Sequence, residues 1–324
     1  MPDTNIALMN MEHLSRTFSR RAGLFGRQSH SIYAVNDISL SITKGETLGL
    51  VGESGSGKST FARLALRLIE PTSGTVAYEG KSLAAMNREE LLAFRRKAQI
   101  VFQDPYSSLN PRLTVSRLIG EGLDLAGLKD REDRTTQTAK LLEMVGLSPC
   151  ISNRYPHEFS GGQRQRIGIA RALAAGPEFI AADEPVSALD VSVQAQVLNL
   201  LLELQISLGL TMLFVAHDLA VVRHISDRVA VMYLGRIVEL ADSNTIYTSP
   251  MHPYTRALLE AIPVPDPTRT PHVPRAIDAE QQAATGCPYA SRCPYAVGAC
   301  NEKVPELLEW QPGHFAACIR ADEI

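Results

Sequence analysis

The sequence predicts an α/β protein built around a parallel sheet, and three observations lead to this prediction. Short apolar runs, typical of buried strands, alternate with segments of helical periodicity. A glycine-rich loop joins the first of these strands to a helix. Polar residues cluster directly after the ends of the strands, which is where open α/β sheets bind their ligands.

The individual elements follow from the spacing of apolar residues. Continuous apolar runs predict strands, and apolar residues three to four apart predict helices. The predicted strands are Thr47–Val51, Phe179–Ala182 and Met212–Ala216, the predicted hairpin is Val229–Leu240 around Leu234-Gly235, and the predicted helices are Phe61–Ile69, Gln163–Ala175 and Thr255–Ile262. The polar, basic stretch Arg16–His30 is predicted to be a loop.

Length and composition exclude several classes of protein. The chain has 324 residues, which at ~100–200 residues per domain predicts about two domains. Hydrophobic residues make up 45% and charged residues 21%, which excludes disordered and fibrous proteins. Lys and Arg number 32 against 35 Asp and Glu, so the net charge is −3. This balance argues against a protein that binds nucleic acid through basic charge.

The apolar pattern also predicts a soluble protein of the cytosol. No apolar run approaches the ~18–20 residues that a membrane span needs. The longest candidates, such as Val197–Leu204, are interrupted by Asn199 and Glu203. Residues Met1–Met11 lack the charged start and apolar stretch of a signal peptide.

The glycine-rich loop Gly52–Ser59 fits the pattern G-x-x-x-x-G-K-[ST] in full, between a strand and a helix. Its glycines let successive backbone N–H groups turn towards a phosphate, and the following helix adds its N-terminal dipole. Lys58 supplies a positive charge to the β- and γ-phosphates, and Ser59 offers a hydroxyl to Mg²⁺. The candidate phosphate-binding residues are Gly52, Ser54, Gly55, Ser56, Gly57, Lys58, Ser59 and Thr60.

An acidic pair, Asp183-Glu184, follows the predicted strand Phe179–Ala182. Asp183 is the expected carboxylate for Mg²⁺, and Glu184 is the expected general base that polarises the attacking water. Phosphoryl transfer needs little beyond such positioning and charge neutralisation.

The segment Phe159-Ser160-Gly161-Gly162-Gln163 resembles the signature motif of ATP-binding-cassette (ABC) ATPases, with Phe159 where Leu is commoner. The motif opens a predicted helix, so Ser160 and the amides of Gly161 and Gly162 stand at a helix N-terminus able to bind a γ-phosphate. In the ABC family that phosphate belongs to the opposite subunit. The resemblance therefore implies a dimer with each ATP between two chains.

Other segments resemble the remaining ABC motifs. Gln103 resembles the Q-loop glutamine, which contacts Mg²⁺ and links to the membrane partner. Ser187-Ala188-Leu189-Asp190 resembles the D-loop, and His217 resembles the switch histidine that contacts the γ-phosphate. In the ABC family an aromatic residue stacks on adenine, and Phe18 aligns best with it. Tyr33 is the alternative, because the basic insertion between the two residues makes the alignment ambiguous.

One chain carries one set of these motifs, so a second ABC ATPase subunit is needed to complete a site. The predicted lack of a membrane span excludes exporters fused to their spans. A single set of motifs argues against translation-type ABC proteins. The lack of a long coiled coil or zinc insertion in the core argues against repair ATPases.

The segment Ser249–Pro263 resembles the His-Pro-Tyr extension of oligopeptide and dipeptide importer ATPases, and five prolines between 263 and 274 read as a linker. The resemblance implies a peripheral subunit on the cytoplasmic face of a bacterial inner membrane. Its implied partners are a sibling ABC ATPase, two integral-membrane permeases and, indirectly, a periplasmic solute-binding protein, with no nucleic acid. Nickel or glycans are alternative solutes, and a soluble ABC ATPase is the alternative class.

Four of the five cysteines, Cys287, Cys293, Cys300 and Cys318, lie near the end of the chain. In a reducing compartment such a group suggests metal rather than disulfides. Similar spacing in the same family implies a [4Fe–4S] cluster, while zinc and no metal remain open because spacing alone does not choose. Cys150 is expected to have no role.

The resemblance implies a P-loop NTPase with a RecA-like core, an antiparallel β subdomain and a helical subdomain that grips the permease. The predicted domains are an ABC ATPase domain at 1–248 with its helical part at about 105–160, an extension and linker at 249–285, and a cysteine-rich module at 286–324.

Overall fold

The computed structural model describes residues 7–20, 30–262 and 285–324. The proline-rich stretch predicted as a linker lies outside the described residues. Two compact units make up the described chain. Unit 1 contains residues 7–9, 42–46 and 77–215, and unit 2 contains residues 10–20, 30–41, 47–76, 216–262 and 285–324.

Strands and helices alternate through most of the chain. The strands are β1 (Ala7–Arg20), β2 (His30–Thr43), β3 (Thr47–Val51), β4 (Ser73–Tyr78), β5 (Lys81–Ser82), β6 (Ala98–Val101), β7 (Phe179–Asp183), β8 (Thr211–Ala216), β9 (Arg228–Tyr233), β10 (Arg236–Asp242), β11 (Leu308–Gln311) and β12 (His314–Ala316). The helices are α1 (Lys58–Ala65), α2 (Arg88–Lys97), α3 (Pro105–Ser108), α4 (Val115–Leu125), α5 (Arg131–Met144), α6 (Gly161–Leu173), α7 (Val191–Leu208), α8 (Leu219–Ile225), α9 (Ser243–Thr248) and α10 (Pro253–Glu260).

Unit 1 contains a parallel sheet in the order β6-β7-β8. All residues of β7 and β8 are buried, as expected for strands covered on both faces. The apolar side chains of α4 recur at helical spacing and are buried, which fits packing against neighbouring helices. A Cβ on Gly122 would lie only 2.6 Å from the Arg171 carbonyl oxygen, so α4 and α6 approach closely there.

Unit 2 contains a second run of paired strands. Strand β3 pairs in parallel with β9, and β9 and β10 form the predicted antiparallel hairpin. Both residues of its turn have positive φ, 44° at Leu234 and 82° at Gly235, as a tight hairpin turn requires. Strand β12 then pairs with β10 and with β11, so the cysteine-rich segment adds strands to the sheet of this unit.

The N-terminal strands form another sheet in which β1 lies between β2 and β4. Residues 16–20 belong to β1, so the predicted loop Arg16–His30 begins too early. A side-chain hydrogen bond holds the strand there, since the Thr17 amide donates to Thr72 Oγ1 over 3.1 Å. Residues 21–29 lie outside the described part of the chain.

Helix α1 ends earlier than predicted. It begins at Lys58, at the end of the glycine-rich loop, and it ends at Ala65 rather than Ile69. Arg67 has a φ of 49°, a left-handed conformation that does not continue a right-handed helix. Apolar periodicity alone did not show this change of backbone conformation.

Helix α7 is the one helix of the described residues that is long and apolar enough to cross a membrane, with 18 residues and a mean hydropathy of 1.3. The expectation that no apolar run approaches this length is therefore wrong. Val197, Leu201 and Leu204 of this helix are buried within the protein. A core helix of a soluble protein can have the same length and composition.

Candidate nucleotide site

The glycine-rich loop lies in unit 2 between β3 and α1. A Cβ on Gly52 would lie 2.1 Å from the Met232 carbonyl oxygen, and one on Gly57 would lie 1.9 Å from the Ala34 carbonyl oxygen. Gly57 also has a φ of 106°, which an L side chain rarely adopts. Glycine is therefore required at both positions by backbone approach, and the loop keeps the turn that a phosphate needs.

Lys58 extends back into this loop. Its side chain is only 3% exposed, and Nζ donates to the carbonyl oxygens of Gly52 and Glu53 over 2.8 and 2.9 Å. Ser59 and Thr60 follow in the first turn of α1. The positive end of the helix, its first N–H groups and the ammonium group of Lys58 thus lie at one loop, which favours an anion such as phosphate.

The acidic pair lies in unit 1 at the end of β7. Asp183 is 2% exposed, and the Glu184 amide donates to the Val215 carbonyl oxygen on β8 over 3.0 Å. Glu184 has a φ of 45°, an uncommon conformation for a residue other than glycine. Such conformations persist where surrounding structure imposes them, often at functional sites.

Gln103 contacts this acidic pair directly. Its Nε2 donates to Oε2 of Glu184 over 2.9 Å, although the two residues are 81 positions apart. The Ser187 hydroxyl donates to the Glu184 carbonyl oxygen over 3.1 Å. Within unit 1 the structure therefore brings together Gln103, the expected base Glu184, and Ser187 at the start of the segment that resembles the D-loop.

The S-G-G-Q segment begins helix α6, as predicted. Ser160 is the N-cap, and its hydroxyl accepts the Gln163 amide over 3.4 Å while the Gln163 side chain accepts the Ser160 amide over 3.1 Å. This reciprocal arrangement is a capping box. A Cβ on Gly162 would lie 2.3 Å from Cγ1 of Val193, so Gly162 is tightly packed. Ser160 and Gln163 are exposed.

The other predicted residues lie at exposed positions. Asp190 immediately precedes α7 in unit 1, and His217 immediately follows β8 in unit 2. Phe18 on β1 is 42% exposed and Tyr33 on β2 is 48% exposed. Burial therefore does not distinguish the two aromatic candidates for adenine stacking. Tyr33 does precede Ala34, whose carbonyl oxygen borders Gly57 of the phosphate loop.

A buried carboxylate anchors the segment after β10. Glu239 is 0% exposed, and it accepts the amides of Met251 and His252 over 2.6 and 3.0 Å. Its Oε1 also lies 2.7 Å from Nε2 of His314 on β12. One side chain of the unit 2 sheet thus holds both the start of the His-Pro-Tyr segment and the cysteine-rich segment.

His252 and Tyr254 of the His-Pro-Tyr segment are buried beneath this anchor. Nδ1 of His252 accepts the Tyr254 amide over 3.1 Å and caps α10. Burial lowers the pKa of His252 to about 4, so its imidazole is neutral at ordinary pH. The Tyr254 hydroxyl accepts the amide of Glu53 in the phosphate loop over 2.8 Å. The sequence identified the His-Pro-Tyr pattern without indicating this contact.

The four C-terminal cysteines line one cavity of about 20 Å³, together with apolar and aromatic side chains such as Tyr289 and Ile319. Burial, followed by the neighbouring thiols, raises the pKa of Cys287 to about 11. Burial also raises the pKa of Cys293 and Cys318. Among the described residues, no group of three or more His, Cys, Asp or Glu side chains has the arrangement that holds a metal ion. Cys150 is exposed and distant in sequence from this group.

Arg292, between two of these cysteines in sequence, contacts the phosphate loop. Its guanidinium donates to both carboxylate oxygens of Glu53, over 3.1 and 2.9 Å. Sequence reasoning gave no role to either residue. The two lie 239 positions apart, and no local pattern marks such a pair.

A glycine-rich phosphate loop, a strained acidic residue after a buried strand and a helix opened by S-G-G-Q occur together in ATPases of the ATP-binding-cassette class. The ABC transporter family matches residues 35–187, and the family described as the oligopeptide/dipeptide transporter C-terminal region matches residues 238–300.

Comparison with other proteins extends over nearly the whole chain. The Brucella ovis protein named "Putative peptide import ATP-binding protein" is 51% identical over 98% of this chain and 99% of its own length. The Bacillus subtilis "Oligopeptide transport ATP-binding protein AppF" is 47% identical over 96% of both chains.

Solved structures show the same fold. The ATP-binding cassette MJ0796, solved as a dimer in a post-hydrolysis state bound to ADP and Pi, is 30% identical with a TM-score of 0.61, covering 72% of this chain and 98% of its own. The chain cbiO1 of Clostridium perfringens is 26% identical with a TM-score of 0.62, covering 74% of this chain and 90% of its own. The chain therefore belongs to the ABC transporter family, and it is an ATP-hydrolysing subunit of that family.

Proposed function

We propose that this chain energises the import of peptides, as the ATPase subunit of a binding-protein-dependent ABC importer on the cytoplasmic face of a bacterial inner membrane. The observation that carries the proposal is the match of residues 238–300 to the C-terminal region of oligopeptide and dipeptide transporters. Two relatives that are 51% and 47% identical to this chain are named for peptide import and oligopeptide transport, which supports peptides as the solute.

The proposed chemistry assigns a role to each group of residues. Lys58 and the loop amides bind the β- and γ-phosphates, and Ser59, Gln103 and Asp183 hold Mg²⁺ directly or through water. Glu184 accepts the proton of the attacking water, and His217 orients that water against the γ-phosphate. These roles match what phosphoryl transfer requires, namely positioning and neutralisation of the charge that develops on the phosphate.

The proposed dimer completes the site. Ser160, the amides of Gly161 and Gly162, and Gln163 contact the γ-phosphate bound to the opposite subunit. Asp190 communicates between the two sites. The exposure of Ser160, Gln163 and Asp190 supports this assignment, because a partner chain can reach all three. The adenine base stacks on Phe18, with Tyr33 as the alternative.

The proposed partners are a sibling ABC ATPase, two integral-membrane permeases and, indirectly, a periplasmic solute-binding protein. The net charge of −3 gives no support to a nucleic-acid partner. ATP binding closes the two ATPase subunits and opens the permease outward, and hydrolysis resets it. The proposed organisation is an ABC ATPase domain at 1–248, an extension and linker at 249–285, and a cysteine-rich module at 286–324.

Affinity capture of the tagged chain from gently solubilised native membranes tests the transporter, with an untagged strain as the control. We expect two multi-span permeases and a second ABC ATPase in the captured complex. Recovery of the chain with only cytosolic proteins would contradict the importer and favour a soluble ABC ATPase.

Uptake of a labelled peptide in cells tests the solute. Replacing the chain by its Glu184→Gln variant should abolish uptake. An exposed substitution on α7, Glu203→Gln, serves as the matched control and should preserve uptake. If peptide uptake persists with Glu184→Gln while nickel or glycan uptake is lost, peptides are not the solute.

We also propose that Cys287, Cys293, Cys300 and Cys318 hold a [4Fe–4S] cluster. Four thiols around one cavity are the donor set that such clusters use. The raised pKa values of Cys287, Cys293 and Cys318 mean that burial disfavours these thiolates unless a cation compensates their charge. The bound cluster would cross-link a short segment that has little core of its own. Zinc is the alternative occupant.

A further inference from the structure

The side chain of Glu53, in the phosphate loop, forms a two-point ion pair with Arg292. The guanidinium donates through Nη1 and Nη2 to the two carboxylate oxygens over 3.1 and 2.9 Å. The Arg292 side chain is 9% exposed and that of Glu53 is 23% exposed. Such paired, poorly hydrated contacts are the stronger kind of charge-assisted hydrogen bond and also fix orientation.

The main chain of Glu53 is held at the same place. Its amide donates to the Tyr254 hydroxyl over 2.8 Å, and its carbonyl oxygen accepts from Nζ of Lys58 over 2.9 Å. The backbone conformation of Glu53 therefore sets one of the contacts that position the Lys58 ammonium. Glu53 therefore contacts Arg292 through its side chain and Lys58 through its backbone, so a change at the side chain can alter the position of Lys58.

The cysteine-rich segment determines where Arg292 lies. The amide of Cys287 donates to the Cys300 carbonyl oxygen over 2.7 Å, and the amide of Arg292 donates to the Tyr289 carbonyl oxygen over 3.0 Å. A Cβ on Gly286 would lie 2.3 Å from that same Cys300 oxygen, so the backbones are in close contact. Arg292 thus projects from a tightly turned segment bounded by Cys287 and Cys293.

Aromatic packing joins this segment to the rest of unit 2. The ring of Tyr289 lies 5.4 Å from the rings of both Tyr233 and Tyr254. The Arg292 guanidinium lies 5.6 Å from the Tyr289 ring and 5.9 Å from the Tyr233 ring. The hydrogen bonds to Glu53 raise the pKa of Arg292 above its ordinary value, so the guanidinium stays charged.

We propose that Arg292 is a positioning residue through which the cysteine-bearing segment, residues 286–300, sets the ATP affinity of the phosphate loop. Without Arg292, the Glu53 carboxylate would be an uncompensated negative charge inside a loop that must accept phosphates. The loop would also lose a contact that helps to orient the Glu53 carbonyl group towards Lys58. The inference rests on the proposed nucleotide site.

The coupling acts in both directions. If the cysteine-bearing segment strengthens ATP binding by some factor, bound ATP stabilises the attachment of that segment by the same factor. Coupling between two sites is typically 5–150-fold. We expect about tenfold, because the ion pair is partly exposed to solvent.

The first test measures the dissociation constant of a fluorescent ATP analogue for the full-length chain. Arg292→Ala should weaken binding about tenfold, and Arg292→Lys should give a smaller loss because a single ammonium cannot form the two-point contact. In a Glu53→Gln background, Arg292→Ala should change the constant less than twofold. An equal loss in both backgrounds would mean that Arg292 only stabilises the fold, and would overturn the proposal.

The second test measures amide hydrogen exchange in peptides covering residues 286–300. Saturating ATP analogue should slow exchange about tenfold in the wild-type chain and by less than twofold in Arg292→Ala. Equal protection in both proteins would overturn the coupling, even if Arg292→Ala binds ATP weakly.

Lys58→Ala separates this inference from the site on which it rests. It should abolish binding whatever residue 292 is. If wild type and Lys58→Ala bind equally, the proposed nucleotide site is wrong. If Lys58→Ala loses ATP binding while the Arg292 variants bind ATP as tightly as wild type, the proposed nucleotide site is supported and the coupling is wrong.

Discussion

The Gln103 side chain donates from Nε2 to Oε2 of Glu184 over 2.9 Å. One carboxylate oxygen of the proposed base is thereby engaged by the residue that is proposed to hold Mg²⁺ and to contact the membrane partner. A displacement of Gln103 by that partner would alter the position of Glu184. In the proposed importer, this contact would give a direct physical route from the permease to the hydrolysis step.

Glu184→Gln should bind ATP normally and lose turnover. A glutamine amide cannot accept the proton of the attacking water, and loss of a general base typically costs 10²–10⁴-fold. The closed dimer should accumulate because its ATP is not hydrolysed. Phosphate release and size-exclusion chromatography with ATP measure both effects, and Glu203→Gln is the control. Normal turnover in Glu184→Gln would remove Glu184 as the base.

Ser160→Ala should reduce turnover by more than its effect on stability predicts. Losing an N-cap costs about 1 kcal/mol, and Asp130, whose side chain caps α5 through the amides of Glu132 and Asp133, provides a matched control. Asp130→Ala should lose similar stability and keep its ATPase rate. Urea unfolding and phosphate release compare the two variants. Equal losses of rate would show that Ser160 acts only as a cap.

The free energy of unfolding should decrease as the pH is lowered, because His252 is neutral in the folded protein. Its folded-state pKa of about 4 lies below the ordinary value of 6.5, so the unfolded chain binds more protons between these values and stability falls as pH decreases. From pH 7.5 to 5.5 the loss is about 1.4 kcal/mol from this residue. His252→Asn keeps a helix cap without the titration and should lose that much less between the two pH values. Parallel stability curves would contradict the assignment.

The purified chain, prepared without oxygen, should contain about four iron atoms and four acid-labile sulfides per chain. Cys300→Ser removes one buried ligand and should lose the iron. Cys150→Ser changes an exposed cysteine outside the cavity and should retain it. Metal analysis checks both variants. If metal analysis finds one zinc per chain and no iron, the cysteines hold zinc and the cluster assignment is wrong.

Removing the adenine-stacking aromatic residue should weaken ATP binding about 5–150-fold, since base–aromatic stacking contributes ~1–3 kcal/mol. We expect this loss for Phe18→Ala and little change for Tyr33→Ala. Binding of fluorescent ATP and of tripolyphosphate separates the base from the phosphates, because tripolyphosphate affinity should not change. Weaker ATP binding by Tyr33→Ala, with little change for Phe18→Ala, would show that adenine stacks on Tyr33.

Five of the twelve described strands, including the hairpin and its turn, were predicted from the sequence because their patterns depend on neighbouring residues. Strands β3, β7 and β8 are continuous apolar runs, and Gly235 marks the turn between β9 and β10. Predictions were less accurate where backbone conformation changed within a polar or apolar run. The end of α1 and the extension of β1 through Arg20 are the two examples.

The sequence by itself determined the chemistry of the protein, since the phosphate loop and the S-G-G-Q helix start are contiguous segments whose glycines and capping residues dictate local conformation. Only the tertiary structure decided which distant groups meet. The contacts of Gln103 with Glu184 and of Arg292 with Glu53 join residues 81 and 239 positions apart. Such pairs form because sheet pairing and burial bring the segments together, and no local pattern encodes the distance between them.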